Sequence, residues 1–365
     1  MKKTLSLILA LTLITAVLSG CGPSEDEGSS SGTWQTEKAV SETEEILKTE
    51  TEEEYQINPL TGEKVYSEDY SPLNRPAAVT VNNAYDSLPQ YGTGEADIIF
   101  EIPVEGYLTR FLCIYSDCTD VPYIVSVRSY RSYFAAIACG FDAVYIHWGQ
   151  DSTTMDYYYS LDMDSYNGIY EDVYEMFGRD QSRISSGYAL EHSSYFDGTL
   201  LADQMEEDGI RTEIDEEYEG CVFEFSDSFE TVSFGEEQAQ RVEINFGGTQ
   251  AELLYDEESQ TYLKYTEGTK QIDGASGEQL SFVNVIVLEA SMWTKDDGLH
   301  IEIELTGAED GKGYYISGGS ASPITWAKED EYSQFVFYDE EGNELEMNRG
   351  KTYIAITRSG TYSIE

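Results

Sequence analysis

The sequence predicts an α+β protein, with a mixed α/β N-terminal domain over residues 57–217 and a β-rich, sandwich- or barrel-like C-terminal domain over 218–365. Two observations carry this. The first stretch mixes two-residue alternation with helical spacing. The second alternates almost throughout, in runs such as RVEINF, TYLKYT, SFVNVIVLEA, GLHIEIEL and TYIAIT. Turn signals such as Asp256-Glu257-Glu258-Ser259 and Glu341-Gly342-Asn343 separate these runs.

Ahead of both lies a leader. Lys2 and Lys3 precede an apolar run from Leu5 to Leu18, and Leu18-Ser19-Gly20-Cys21 follows. This is the layout of a secretory signal peptide over residues 1–20, too short for a spanning helix. Its ending resembles a bacterial lipobox, which implies cleavage before Cys21 and a diacylglyceryl group on the Cys21 thiol. The alternative is an ordinary signal peptide with a chance cysteine. Each methylene buried in the bilayer contributes about 0.8 kcal/mol. The expected partner is therefore the cell membrane, reached through lipidated Cys21, and the expected location is its outer face. Residues 21–56 are rich in Ser, Thr and Glu, with few large apolar residues beyond Trp34, Ile46 and Leu47. Such a segment cannot bury enough surface to fold and is expected to be a disordered tether.

Lys and Arg number 21 against 70 Asp and Glu, a formal net charge of −49. That excludes nucleic acid as a partner, because phosphates need cations. It also disfavours direct adhesion to anionic headgroups or wall polymers. The cysteines beyond Cys21 are Cys113, Cys118, Cys139 and Cys221. Cys113 and Cys118 could pair across the Ser116-Asp117 turn. No metal-binding spacing is present, and none of the four has a flanking base to make it a nucleophile.

In chain order, AAVTVNN after Arg75-Pro76 reads as a strand. ADIIFEIPVE and YLTRFLCIY read as a hairpin with a two-residue loop at Gly106-Tyr107. That loop would oppose Val104 to Thr109, Pro103 to Arg110 and Ile102 to Phe111. Glu101, Glu105 and Arg110 would then share the polar face. Pro103 marks a strand edge or end. Ser129 to Gly140 reads as a helix capped by Ser129 and stopped at Gly140. DAVYIHW reads as a strand ending at His147, and a second helix is expected near Thr199–Glu207, stopped by Gly209.

Arg128 and Arg131 flank the predicted helix start, where the dipole already disfavours cations by up to about 1 kcal/mol. Something anionic should meet them: Glu101 or Glu105 in an internal network, or a phosphate or carboxylate ligand held with Arg110 and Ser129. His147, at a strand end, and His192, in Glu191-His192-Ser193-Ser194, are candidates for acid–base work with Glu101. Convergence of His147, His192 and Glu101 would allow a metal; no metal or cofactor is otherwise expected. His300 reads as a strand residue. The Asp162–Gly168 loop fails the calcium-loop template, since its glycine falls one position late.

Taken together, NPLTGE at 58–63, RPAAVTVNN at 75–83, ADIIFEIPVEGYLTRF, VRSYR at 127–131, FGRDQSR at 177–183, HSSY at 192–195, NVIVL at 284–288 and GKTYIAI near the end resemble the YerB-like lipoproteins of Gram-positive bacteria. That family has N-terminal and C-terminal domains and no established activity. This chain departs from it at Val125-Ser126, where Gly-Pro is common, and at Ser193, where Asn is common. The resemblance implies a membrane-anchored envelope protein.

The expectation is therefore a lipid-anchored extracytoplasmic protein. It would bind an anionic ligand or envelope partner through Glu105, Arg110, Arg128, Ser129 and Arg131. The alternative is an envelope hydrolase or transferase acting on a phosphate- or carboxylate-bearing substrate, with Glu101, His147 and His192 as its catalytic groups. A third reading is a partner-binding module that uses the C-terminal domain.

Overall fold

The strands Ala77–Asn82, Ile98–Pro103, Thr109–Tyr115 and Thr352–Thr357 are buried at every position, so each must be covered on both faces. The computed structural model shows how; it describes residues 54–170, 174–235 and 237–365. The signal peptide, Cys21 and almost all of the tether lie outside the described residues. Glu54–Glu365 form one folded unit.

Its centre is an eleven-stranded mixed sheet. Thr109–Tyr115 pairs antiparallel with both Ile98–Pro103 and Ala77–Asn82, and Val144–His147 then Ser165–Asn167 extend that side in parallel. On the other side Thr352–Thr357 lies parallel to Ile98–Pro103, with Thr352 opposite Ile98 and Ala355 opposite Glu101. Asn284–Glu289, Ala308–Ser317 and Ser320–Lys328 continue from there. The sheet is thus shared by the two stretches that the sequence divides near residue 217.

The period-two geometry of strands sends alternate side chains to two separate cores. Ile98, Phe100 and Ile102 point to one side, with Leu112, Ile114, Ile286 and Ile354. Against them packs the helix Ser132–Gly140 through Phe134, Ile137 and Ala138. Burying each large apolar side chain contributes about 1.5–3 kcal/mol. Ile99, Phe111, Cys113, Val285 and Tyr353 point to the other side. There a six-stranded sheet covers them with Val242, Ile244, Leu253, Tyr262 and Phe282. The C-terminal stretch therefore builds a sandwich, but one whose first layer it shares with the N-terminal stretch.

Three local expectations are corrected. The helix begins at Ser132, with Arg131 and not Ser129 at its N-cap. Ser129 and Tyr130 stay outside the helix, where the Arg128 N–H donates to Thr80 O and the Tyr130 N–H to Gly149 O. Gly140 is the helix's last residue, and its lack of a side chain serves packing: a Cβ there would lie 2.5 Å from Ser333 O. The hairpin does not turn in two residues. The Val104 N–H donates to Leu108 O, and Gly106 and Tyr107 both take positive φ, 73° and 62°. Pairing is consequently Pro103 with Thr109, Ile102 with Arg110 and Glu101 with Phe111. That is one residue away from the expected register, and a one-residue slip exchanges the faces. The second helix runs Leu201–Asp208 and ends at left-handed Gly209, where the sequence placed its stop. Cys113, Cys118, Cys139 and Cys221 are all free thiols.

Candidate functional site

The register decides which candidates meet. Arg110 and Glu101 lie on opposite faces of the sheet. Arg110 turns toward the helix, where its Nη1 donates to Ser129 O at 2.7 Å and its Nη2 lies 3.2 Å from Glu105 Oε1. Arg131 reaches the same carboxylate from the helix N-cap, with Nε donating to Oε2 at 3.0 Å and Nη2 pairing with Oε1. Its Nη1 also donates to Tyr130 O, at 2.5 Å. One carboxylate therefore serves two nearly buried guanidinium groups. Burial opposes ionisation of Glu105, but Arg110 and Arg131 outweigh it and hold its pKa below the usual glutamate range. Burial pushes the Arg110 guanidinium down to about 9; Arg131 and Arg128 add to this, and Glu105 pulls back.

Arg128 is the third member. Its backbone is fixed between two strands, donating to Thr80 O and accepting from the Trp148 N–H, both at 2.8 Å. Its side chain is half-buried. Nη1 makes one long contact to Glu191 O at 3.4 Å, and Nε makes no hydrogen bond among the described residues. Burial lowers its pKa, Glu191 opposes this, and Arg131 adds repulsion. Beside it, His192 Nδ1 accepts from the Asn82 side chain at 2.8 Å, so the ring proton sits on Nε2. Burial also lowers the His192 pKa, Glu191 opposing and Arg128 adding to the shift. The neighbouring loop is pinned by Arg183, whose Nη1 donates to Ser87 O and His192 O. Arg179 stacks over Trp148 at 4.2 Å and donates to Leu190 O.

His147 does not join this group. It is fully buried, its Nδ1–H donates to Gly149 O at 2.7 Å, and its Nε2 accepts from the Tyr158 hydroxyl at 3.1 Å. Burial pushes its pKa down to about 4. Glu101 is sealed on the far face. Its Oε1 accepts from Asn83 and Thr109, and its Oε2 accepts from the Tyr353 hydroxyl at 2.7 Å and pairs with Lys264 Nζ at 2.9 Å. Both side chains of that ion pair are fully buried. Gln271, Gln90 and Thr266 complete the network. Glu101, His147 and His192 thus do not converge, and no group of three metal-ligating side chains forms among the described residues. His300 pairs with Asp297 at 2.6 Å, just ahead of a strand.

Sequence reasoning missed Asn82, Asn83 and Lys264, although signals existed. Lys264 occupies the inward phase of its strand between Tyr262 and Thr266, where an unpaired lysine is not tolerated. Asn82, the last residue of a fully buried strand, and Asn83 just after it send their side chains to opposite faces, one to His192 and one to Glu101.

The sheet-rich fold, the buried ion pair that ties its two stretches together and the arginine group at one rim define a two-part class of β-rich protein. The chain belongs to the DUF3048 family of proteins of unknown function: residues 60–211 match its N-terminal domain and residues 242–354 its C-terminal domain. It is 28% identical over 303 residues, 82% of this chain and 85% of the relative, to "Putative lipoprotein YerB" of Bacillus subtilis (strain 168). The crystal structure of Bacillus subtilis YerB superposes with a TM-score of 0.72 at 26% identity, covering 85% of this chain and 99% of that one. No helix among the described residues is long and apolar enough to cross a membrane.

Proposed function

We propose that this is a lipid-anchored extracytoplasmic envelope protein that binds an anionic group of an envelope ligand or partner at the Arg128–His192 rim. One observation carries the reading. Arg128 adds a third guanidinium beside two that already share a single carboxylate, and its Nε makes no hydrogen bond among the described residues. A planar donor fork with an unsatisfied Nε–H suits the oxygens of a phosphate or carboxylate. Neutral His192 offers its Nε2–H as a further donor alongside. In a chain of net charge −49, such a local cation excess is the feature an anion would find. The hydrolase reading places Glu101 beside these arginines, whereas among the described residues the carboxylate that engages Arg110 and Arg131 is Glu105.

The test is thermal unfolding of the mature chain carrying Cys21→Ser, with inorganic phosphate and with carboxylate-bearing muropeptides. Binding at 100 times Kd adds about 2.7 kcal/mol, so a clear upward shift is expected, and Arg128→Ala should abolish it. No shift with any anion, or an equal shift in the variant, would sink the proposal. The anchor is tested separately. Labelled fatty acid should enter the wild-type protein in cells. Cys21→Ser should remove the label and release the chain to the medium, and label retained by the variant would contradict lipidation at Cys21.

A further inference from the structure

The ion pair of Glu101 and Lys264 has a third member. Glu101 Oε2 pairs with Lys264 Nζ at 2.9 Å, and its Oε1 accepts from Asn83 Nδ2, also at 2.9 Å. A lysine amine and a side-chain amide thus stand on the two oxygens of one carboxylate. All three side chains are fully buried. Asn83 comes from the N-terminal stretch of the chain and Lys264 from the C-terminal stretch.

The surroundings are those of an acyl-transfer site. The Asn83 side-chain carbonyl oxygen accepts two N–H bonds, from Gln271 at 2.7 Å and from Gln90 at 3.0 Å. Fixed donors at such distances stabilise the oxyanion that forms when an amide carbon is attacked. Lys264 Nζ lies 5.3 Å from the ring centre of Tyr353 and 5.8 Å from that of Phe111. Burial drives the Lys264 pKa down, toward the neutral nucleophilic amine, and Glu101 opposes this. Gln90, Thr109 and Gln271 close the rest of the shell and are fully buried as well. Bulk water, the competing nucleophile, is thereby kept away.

We propose that Lys264 and Asn83 become joined by an intramolecular amide bond, with Glu101 as the catalytic acid and base. A proton passes from Lys264 to Glu101 within the pair and leaves a neutral amine and a carboxylic acid. Nζ attacks Asn83 Cγ, and the Nζ–Cγ bond forms while Gln90 and Gln271 hold the developing oxyanion. Glu101 hands its proton to Nδ2 and takes one from Nζ. The Cγ–Nδ2 bond then breaks and ammonia leaves. Glu101 ends protonated, as it was before the attack. Nothing is oxidised or reduced, and no co-reactant is needed. The product ties the two stretches of the chain covalently through the core of the sandwich. The ion pair is the state from which the bond forms, so the stability of the pair is measured in chain that has not reacted.

The experiment is the intact mass of the mature Cys21→Ser chain, followed by proteolysis and peptide sequencing by mass spectrometry. The mass should fall below that of the sequence by one ammonia, about 17 Da, and one branched peptide should join the Asn83 and Lys264 segments. Lys264→Arg keeps a cation beside Glu101, and Asn83→Ala keeps the whole ion pair; both should show the full sequence mass. Glu101→Gln should leave the chain mostly unreacted although amine and amide are both present. Near-ultraviolet circular dichroism checks that the variants fold, and the wild-type mass with its branched peptide decides the matter even where one does not. A wild-type mass equal to that of the sequence would overturn the proposal. So would an ammonia loss that persists in Lys264→Arg, which marks a succinimide at Asn83, or a loss of one water, about 18 Da, joining Lys264 to Glu101.

Discussion

Lys264→Met is expected to destabilise the folded chain by about 3–5 kcal/mol, because it strands a buried carboxylate. Glu101 and Lys264 are both fully buried, and their pair spans the two stretches of the chain. Burial alone drives the Lys264 pKa down, and Glu101 is the group that opposes this. Asn83, Thr109 and Tyr353 hydrogen-bond the carboxylate but supply no charge to balance it. The double variant Glu101→Leu/Lys264→Met removes both charges and should recover most of the loss, since desolvating an ion pair offsets much of its attraction. Urea denaturation of the four proteins of this double-mutant cycle measures the coupling directly. A loss below about 1 kcal/mol in Lys264→Met, or a double variant worse than both singles, would show that the pair does not tie the fold.

The second large effect is a loss of stability in mild acid that traces to His147. Its folded-state pKa is about 4, against 6.5 for a free histidine. The unfolded chain therefore binds a proton between those values while the folded chain does not. Stability is complete above about pH 6.5 and falls as pH drops toward 4, by roughly 3 kcal/mol in all. His192 is shifted in the same direction. Glu105, whose pKa is lowered, contributes stability that is lost only further down, below about pH 4.3. His147→Gln should flatten the slope of unfolding free energy between pH 6.5 and 4.5. An equally steep slope in that variant would place the titrating group elsewhere.

Much of the fold was legible. Alternation located the C-terminal strands, and Gly209 ended its helix where a left-handed residue was required. The family resemblance rested on motifs at both ends of the shared sheet. What could not be read was which residues the chain brings together from afar. The parallel pairing of Ile98–Pro103 with Thr352–Thr357 joins residues some 250 apart, and nothing local in either strand encodes it. The hairpin shows how one wrong turn propagates. Gly106-Tyr107 invited a two-residue loop, yet the Val104–Leu108 closure shifts the register by one. That single step moved Glu101 from the arginine rim to Lys264. Glu105, within the turn itself, was the carboxylate that met Arg110 and Arg131. Arg128 and His192 come together through the Asn82 strand end, a contact spanning 110 residues between Asn82 and His192.

The most direct test of anion recognition follows the arginine Nε–H resonances of the mature chain by nuclear magnetic resonance during titration with inorganic phosphate. The Nε–H of Arg131 already donates to Glu105 and that of Arg128 has no hydrogen-bond partner among the described residues, so the two should respond differently. One resonance, absent in Arg128→Lys, is expected to shift saturably while that of Arg131 moves little. If no Nε–H resonance responds, or the responding one persists in Arg128→Lys, Arg128 is not the anion-binding group.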